Sequence, residues 1–447
     1  MRFRGLLVAV VLLAALAGAL YYSNKQKAAE AAKPPADAPP KILRVTESDV
    51  TKIGVKKKGA DETDLQKTGG KWQIIAPMPY AADQDAANQL VTSASNVSAD
   101  RVVEDKASNL SPYGLNSPAL EVDITGKGGK ISKLKIGDDT PTNSGSYAML
   151  EGDPRVFTVA SYVKTGLDKS LNDLRDKRLL TFDQDKLSRV ELIAQKPGIK
   201  GPQDIEFGRD KDQWQIVKPK PLRADGLQVD EMLRKLKDAK MDLALSPDDA
   251  KKAATTFASG TPVATVKLTD PSGTQQIEIR KSGADYYAKS SIVPGVFKVT
   301  PDLGTGVDKA LDDLRSKKLF DFGFNEPGKV EMHAGGKTYA FQKGGEDWFS
   351  NGKKLDSVSL QSLLDKLRDL AATKFIDTGS LGAPTIDITV VSNNGKLTEK
   401  LLIAKQGADY VAQRENEPAL YGLDAKTVDE LSQAASDVKP APPPAKK

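Results

Sequence analysis

The chain has 447 residues, more than one hydrophobic core usually serves, so its length favours two to four domains. It has no cysteine and one histidine, His333, which excludes disulfides, thiolate metal sites, thiol nucleophiles and a histidine-based metal triad. Its 65 basic and 60 acidic residues nearly balance, so the charge does not indicate a nucleic-acid partner.

The N-terminus has the pattern of an export signal. Arg2 and Arg4 precede an uncharged run from Gly5 to Tyr22, which lies within the roughly 17–25 residues needed to cross a bilayer. We therefore predict a single transmembrane signal anchor over residues 1–22, with the rest of the chain outside the cytoplasm. The small-residue sequence Ala17-Gly18-Ala19 also fits a signal peptidase site, so cleavage remains an alternative.

Two segments rich in alanine, proline and lysine flank the body of the chain. Residues 23–41 contain four prolines and no apolar period, which is typical of an extended linker. Residues 437–447 have the same composition, and we predict that they form a disordered tail.

Three tryptophans, Trp72, Trp214 and Trp348, mark an internal repeat. An aspartate follows each of them and precedes a segment with a helical apolar period; these aspartates are Asp83, Asp225 and Asp356. Because a carboxylate can accept the free amide protons of a first helical turn, we interpret the aspartates as helix caps and not as catalytic acids.

Alternating apolar and polar residues follow each helix and predict strands with one wet face. Such strands begin near Pro118, Pro262 and Pro384, and glycine turns separate them from further apolar runs. The third copy is predicted to close with a shorter helix, from Thr427 to Ala434.

The predicted fold class is α+β: three tandem modules, each a mainly antiparallel sheet with helices on one side, after an N-terminal transmembrane helix. The predicted bounds are 42–183, 184–323 and a shortened 324–436. The first two modules end in basic segments, 175–178 and 315–318, which are typical of a solvated helix terminus, with contact to an anionic lipid or acidic partner as the sharper interpretation.

No residue stands out as catalytic, cofactor-binding or metal-binding, and the sequence does not identify a binding residue. His333 lies in an apparent strand without a counterpart in the other copies, so we expect a structural or exposed side chain. Glycine pairs such as Gly69-Gly70 and Gly128-Gly129 lie between short strands and open no helix, which favours hairpin turns over a phosphate loop.

The segments Trp72–Asp83, Leu110–Pro118, Leu134–Gly137 and Leu174–Lys177 carry a family resemblance. From Val45 onward the chain resembles a bacterial family known only as a domain of unknown function, number four-three-four-zero. The first copy has the fullest pattern. The resemblance implies a membrane-tethered accessory of ABC transport components, of the kind found with gliding-motility systems, and it transfers no catalytic residue.

Three functions follow from these observations. The first is a non-enzymatic, membrane-anchored protein of the bacterial inner membrane, with a periplasmic body that binds protein partners; the expected partners are ABC transport subunits. The second is a module that binds cell-wall glycan or another polymer, which requires an exposed aromatic strip including Tyr286 and Tyr287. The third is an envelope hydrolase, which requires a pocket with a carboxylate pair in one copy only.

Overall fold

The computed structural model describes Ser23, Lys25 and residues 40–195, 201–211, 213–243, 247–325 and 327–442. The predicted anchor over residues 1–22 lies outside these residues. Among the helices of the described part of the chain, none is both long and apolar enough to cross a bilayer. The chain divides into two compact units, Met1–Lys177 and Arg178–Lys447.

Three large antiparallel sheets account for most of the strands. The first sheet lies in the first unit and has the strand order β5-β4-β3-β2-β8-β9-β10-β11-β7. Its strands are β2 (Val50–Lys57), β3 (Thr63–Thr68), β4 (Lys71–Ala76), β5 (Tyr80–Ala81), β7 (Arg101–Glu104), β8 (Leu120–Gly126), β9 (Ile131–Asp139), β10 (Gly145–Leu150) and β11 (Val156–Ala160). A separate pair joins β1 (Lys41–Arg44) to β6 (Asn96–Ser98).

The second sheet repeats this order as β15-β14-β13-β12-β16-β17-β18-β19. Its strands are β12 (Arg189–Ala194), β13 (Gln203–Asp210), β14 (Gln213–Lys218), β15 (Leu222–Arg223), β16 (Thr261–Asp270), β17 (Gly273–Ser282), β18 (Asp285–Ser290) and β19 (Phe297–Val299).

The third sheet has the order β23-β22-β21-β20-β25-β26-β27-β28-β24. Its strands are β20 (Lys329–Ala334), β21 (Lys337–Gly344), β22 (Asp347–Ser350), β23 (Lys353–Lys354), β24 (Lys374–Ile376), β25 (Ile386–Ser392), β26 (Leu397–Gln406), β27 (Asp409–Arg414) and β28 (Leu420–Leu423). Each sheet thus contains two four-stranded meanders, joined side by side where the first strand of one pairs with the first strand of the other. The first and third sheets have one further edge strand each, β7 and β24.

A helix connects the two meanders of each sheet. These helices are α1 (Gln84–Ser95), α4 (Gly226–Lys237) and α8 (Ser357–Asp369). Asp83, Asp225 and Asp356 cap them by accepting amide protons of the first turn, as the sequence predicts. The other helices are α2 (Ser161–Leu167), α3 (Leu171–Leu174), α5 (Pro247–Ser259), α6 (Pro301–Val307), α7 (Leu311–Leu314) and α9 (Ala425–Asp437).

The core lies between each sheet and its helices. In the second sheet, Val190 and Leu192 alternate with polar neighbours along β12 and lie in one buried cluster with Leu233 and Leu236 of α4. The opposite face of β12 carries the charged residues Arg189 and Glu191, so one face of the sheet is wet. The prediction of mostly antiparallel sheets combined with helices is confirmed.

Three details differ from the predictions. Helix α9 is longer than predicted, from Ala425 to Asp437, and longer than α2 and α6 of the other sheets. The predicted disorder of residues 437–447 is wrong for their first part, because Asp356 donates its backbone N–H to the carbonyl of Lys439 and Ala441 donates to Lys354. Residues 443–447 lie outside the described part. The predicted ends of the first two modules, at residues 183 and 323, are each preceded by apolar residues that pack in the core of the next sheet. These residues are Leu179, Leu180 and Phe182 for the second sheet, and Leu319, Phe320 and Phe322 for the third.

Replacing Leu363 by alanine is expected to lower the free energy of unfolding of the third sheet and its helices by about 2–5 kcal/mol. The reason is that its side chain, on the core-facing side of α8, is fully buried. Val358→Ala is the matched control on the same helix. Its side chain is 76% exposed, so the change should stay within about 0.5 kcal/mol. Amide hydrogen exchange along α8 measures both, and equal protection in the two variants would contradict the packing described.

Candidate functional site

A cavity of about 420 Å³ opens at the edge of the second sheet. Strands β14 and β15 form one wall, the start of α4 forms another, and the segment that leads into the third sheet forms the floor. We call it the junction pocket; its lining includes Trp214, Arg223, Asp225, Leu227, Lys318 and Asp321.

The tryptophan of this pocket is held in place by the helix that follows it. Trp214 Nε1 donates to Asp230 Oδ1 at 3.0 Å. The first sheet repeats this contact, since Trp72 Nε1 donates to Asn88 Oδ1 at 3.0 Å. Because Asn88 and Asp230 follow the capping aspartates at the same interval, the tryptophan and aspartate landmarks of the sequence are parts of one structural unit.

The floor of the pocket is the junction segment, residues 315–322. Its first half pairs with the second sheet, since Ser316 N–H donates to the carbonyl of Arg223 at 2.9 Å. Its second half pairs with the chain leaving α8, since Leu319 N–H donates to the carbonyl of Leu370 at 3.0 Å. The junction segment therefore hydrogen-bonds to elements of both sheets.

The basic ending at 315–318 is only partly solvated. Arg315 is 3% exposed, and its guanidinium lies 3.7 Å from the centre of the Phe375 ring. Arg315 Nη1 also lies 3.0 Å from Asp312 and 3.3 Å from Asp377. The prediction of a solvated helix terminus is wrong for this arginine, which is a packing residue, whereas Lys317 and Lys318 are exposed.

A group of charged side chains lies under the junction segment. We call it the junction cluster; it comprises Arg223, Asp321, Glu399, Arg414 and Glu417. Arg414 Nη1 lies 2.8 Å from Asp321, Nη2 lies 3.0 Å from Glu399 and Nε lies 3.2 Å from Glu417. Arg223 also pairs with Asp321 and lies 3.8 Å from Glu417.

The electrostatics of the cluster follow from its burial. Glu399 is 5% exposed, and burial raises the pKa of its carboxyl group. Its Oε1 accepts the backbone N–H of Asp321 at 2.6 Å, so this side chain holds the junction segment as well as an arginine. The neighbouring carboxylate of Asp321 also raises this pKa, whereas the guanidinium groups of Arg414 and Arg223 act in the opposite direction.

The acids around the junction pocket already have partners. Asp225 caps α4, Asp230 binds Trp214, and Asp321 binds Arg223 and Arg414. This arrangement positions backbone segments and fixes the shape of a surface. It provides polar and apolar contact groups at the rim, where Leu227 is 82% exposed.

His333 lies on the wet face of the third sheet, where its Nδ1 is 2.9 Å from Asp387 and its Nε2 is 3.7 Å from Glu331. Within the described residues, no three histidine or acidic side chains, these included, are arranged so that they could hold a metal ion. Gly69 and Gly70 have positive φ values of 58° and 81° in the turn between β3 and β4, which confirms the hairpin interpretation of this pair.

The aromatic strip required by the glycan hypothesis lacks one of its two named members. Tyr286 is 6% exposed and belongs to the core of the second sheet, while only Tyr287 is half-buried. A sheet-forming Tyr-Tyr pair points to opposite faces, because successive side chains of a strand alternate. These two rings therefore cannot share one exposed surface.

Fold and junction together define a class of protein: a tandem repeat of α+β units built on antiparallel sheets. Residues 72–213 and 214–387 match the family described as "Domain of unknown function (DUF4340)". The chain belongs to this family, which confirms the resemblance and its repeated character. No curated protein and no solved structure gives a significant match.

Replacing Arg414 by methionine is expected to destabilise the third sheet by about 3–5 kcal/mol, because the buried carboxyl group of Glu399 would lose the cation that faces it. Glu415→Gln on the neighbouring exposed position is the control and should change little. Urea unfolding combined with hydrogen exchange on β26 and β27 measures the difference.

The raised pKa of Glu399 gives a pH dependence of definite sign. A carboxyl group whose pKa is higher in the folded state stabilises the fold below its unfolded pKa, and this contribution is lost as the pH rises through the folded value. The free energy of unfolding of the third sheet should therefore fall as the pH rises through the folded pKa of Glu399 in the natural chain, and this fall should be missing in Glu399→Gln. A parallel fall in both proteins would contradict the assignment to Glu399.

Proposed function

We propose that the chain is a non-enzymatic, membrane-tethered protein of the bacterial envelope, in which three copies of one module present surfaces to protein partners. We further propose that these partners are subunits of an ABC-type transport assembly. The observation that supports binding best is the recurrence of exposed apolar side chains at matching positions of the repeat.

Two such positions recur. Leu227 and Val358 hold the same place in the first turn of α4 and α8, and they are 82% and 76% exposed. Ile75 and Val217 match on β4 and β14, with 41% and 45% exposure. Single exposed apolar residues are ordinary on a soluble protein, but a matched set surrounded by polar side chains resembles the apolar anchors and polar rims of protein interfaces.

The surroundings of these anchors also favour binding over chemistry. Val358 stands at one end of a shallow surface groove of about 880 Å³ along α8, which is lined otherwise by polar residues such as Gln361 and Lys366. Leu227 lies at the rim of the junction pocket, whose carboxylates serve as a helix cap and as ion-pair partners. A rigid surface with apolar anchors suits a protein partner.

The tether and the transport context rest on the sequence. The uncharged segment from Gly5 to Tyr22 is long enough for one membrane crossing, and the linker over residues 23–41 gives reach beyond the bilayer. The ABC transport partner comes from the family resemblance alone.

The partner proposal is tested by placing a photo-crosslinking residue at Leu227 or at Val358 in living cells and identifying the products by mass spectrometry. We expect crosslinks to transport permease subunits from both positions. Tyr162 is the matched control, since it is 75% exposed but has no exposed apolar counterpart in the repeat. Crosslinks of equal yield from Tyr162, or none from Leu227 and Val358, would count against the proposal.

The tether proposal is tested by fractionating cells that express the full chain or a variant lacking residues 2–22. The full chain should sediment with membranes and remain there in high salt, because an apolar span is not released by screening charges. The variant should not reach the envelope. A mature N-terminus after Ala19 in the full chain would show cleavage and contradict the anchor.

A further inference from the structure

The first module differs from the other two at one group of positions, and the strand register identifies them. On β10, Ser146 pairs with Asp139 on one side and Val159 on the other. The residue with the equivalent pairing is Tyr286 in the second sheet, between Lys281 and Val299. In the third sheet it is Tyr410, between Lys405 and Leu423.

In the second module the tyrosine fills the space between sheet and helix. A Cβ atom added to Gly304 of α6 would lie 2.1 Å from the ring of Tyr286, so the ring packs directly on the helix backbone. Lys281 Nζ lies 5.2 Å from the centre of the same ring. Lysine, tyrosine and a side-chain-free helix position thus form a closed packing unit.

The first module replaces all three members. Asp139 stands in place of the lysine, Ser146 in place of the tyrosine, and Lys164 of α2 in place of the glycine. Without the ring, a cavity of about 280 Å³ opens between β9, β10 and α2. Its remaining lining is polar and consists of Asn143, Ser161, Thr165 and Asp168.

The substituted side chains bind one another and keep the cavity open. Ser146 is 1% exposed and its Oγ donates to Asp139 Oδ1 at 2.6 Å. Lys164 Nζ donates to the same oxygen at 2.7 Å. These hydrogen bonds from Lys164 and Ser146 lower the pKa of Asp139, so this carboxylate stays ionised. Lys57 Nζ lies 2.7 Å from Asp168 Oδ1.

The lining selects the chemistry of a ligand. An apolar molecule would find no apolar side chain among the lining residues, and an anion would face the carboxylates of Asp139 and Asp168. A divalent cation would meet the ammonium group of Lys164 and too few acids. A neutral molecule with several hydroxyl groups can both donate to the carboxylates and accept from Lys164 and Asn143.

We propose that this cavity of the first module, built by Asp139, Ser146 and Lys164 where its sister modules pack a tyrosine, binds a small neutral polyol of about the size of one sugar residue. Its volume of about 280 Å³ lies just below the roughly 300–1,000 Å³ typical of small-molecule sites, which fits a ligand of this small size. Because hydrogen bonds lower the pKa of Asp139, this residue is not suited to be the protonated general acid that a glycosidase requires. The inference is independent of the proposed partner binding.

Saturation-transfer NMR on the full chain, with glucose, N-acetylglucosamine and glycerol as separate probes, tests this proposal. Transfer to either sugar would indicate a saccharide ligand, and transfer to glycerol alone would indicate a glycerol-type headgroup; both support a polyol site. The double variant Ser146→Tyr/Lys164→Gly rebuilds the packing of the second module and should abolish the transfer. Lys130→Ala, in the exposed turn before β9, is the control and should leave it unchanged.

A second variant keeps the test independent of repacking. Asp139→Asn preserves the shape of the side chain but removes its charge, and it should weaken binding about tenfold, as expected for the loss of one charged hydrogen bond. Absence of transfer to all three probes in the natural protein would overturn the proposal. So would equal transfer in the natural protein and the double variant.

Discussion

The arrangement of the second unit depends on one type of hydrogen bond, between an inward side chain of a sheet and the backbone amide of the segment that enters that sheet's core. Gln275 of β17 accepts the N–H of Thr181 at 2.9 Å, and Glu399 of β26 accepts the N–H of Asp321 at 2.6 Å. The two acceptors have the same register, opposite Leu268 and Val390. A backbone amide that is withdrawn from water needs an acceptor, and a side-chain oxygen of the sheet supplies it in both cases.

The choice of acceptor determines how much else must be buried. Gln275 is neutral and needs only the hydroxyl of Thr181 beside it. Glu399 is an acid in a buried position, so it needs a cation nearby, and Arg414 supplies it. In the second sheet, Ser290 has the position equivalent to Arg414, and its hydroxyl group donates to the carbonyl of Leu179. The junction cluster, and with it the floor of the junction pocket, is thus a consequence of one acid at a repeat position.

Much of the architecture could be read from periodicity, because it depends on local patterns. The tryptophans, the capping aspartates and the apolar faces of α4 and α8 are set by spacing within short segments. The buried position of Glu399 could also have been predicted. Alternate residues of a strand point to the same face, and Glu399 stands two residues before the apolar Leu401, so both side chains lie on the core side of β26. Its partners could not be predicted, because Asp321 and Arg223 come from distant parts of the chain. Nor could the cavity beside Ser146, which becomes visible only when strand register identifies Tyr286 as its counterpart.

The C-terminal segment has an effect on assembly. At the outer edge of the third sheet, Pro440 bridges to Leu355, and the amide of Ala441 is bonded to Lys354. At the equivalent edge of the second sheet lies the junction segment, in which the N–H of Ser316 donates a hydrogen bond to the carbonyl of Arg223 before the chain continues into the third sheet. Uncovered sheet edges recruit strands from other molecules and can lead to aggregation. The C-terminal segment occupies backbone groups of Lys354 and Asp356 at this edge, so a strand from another molecule would have to displace it to pair there.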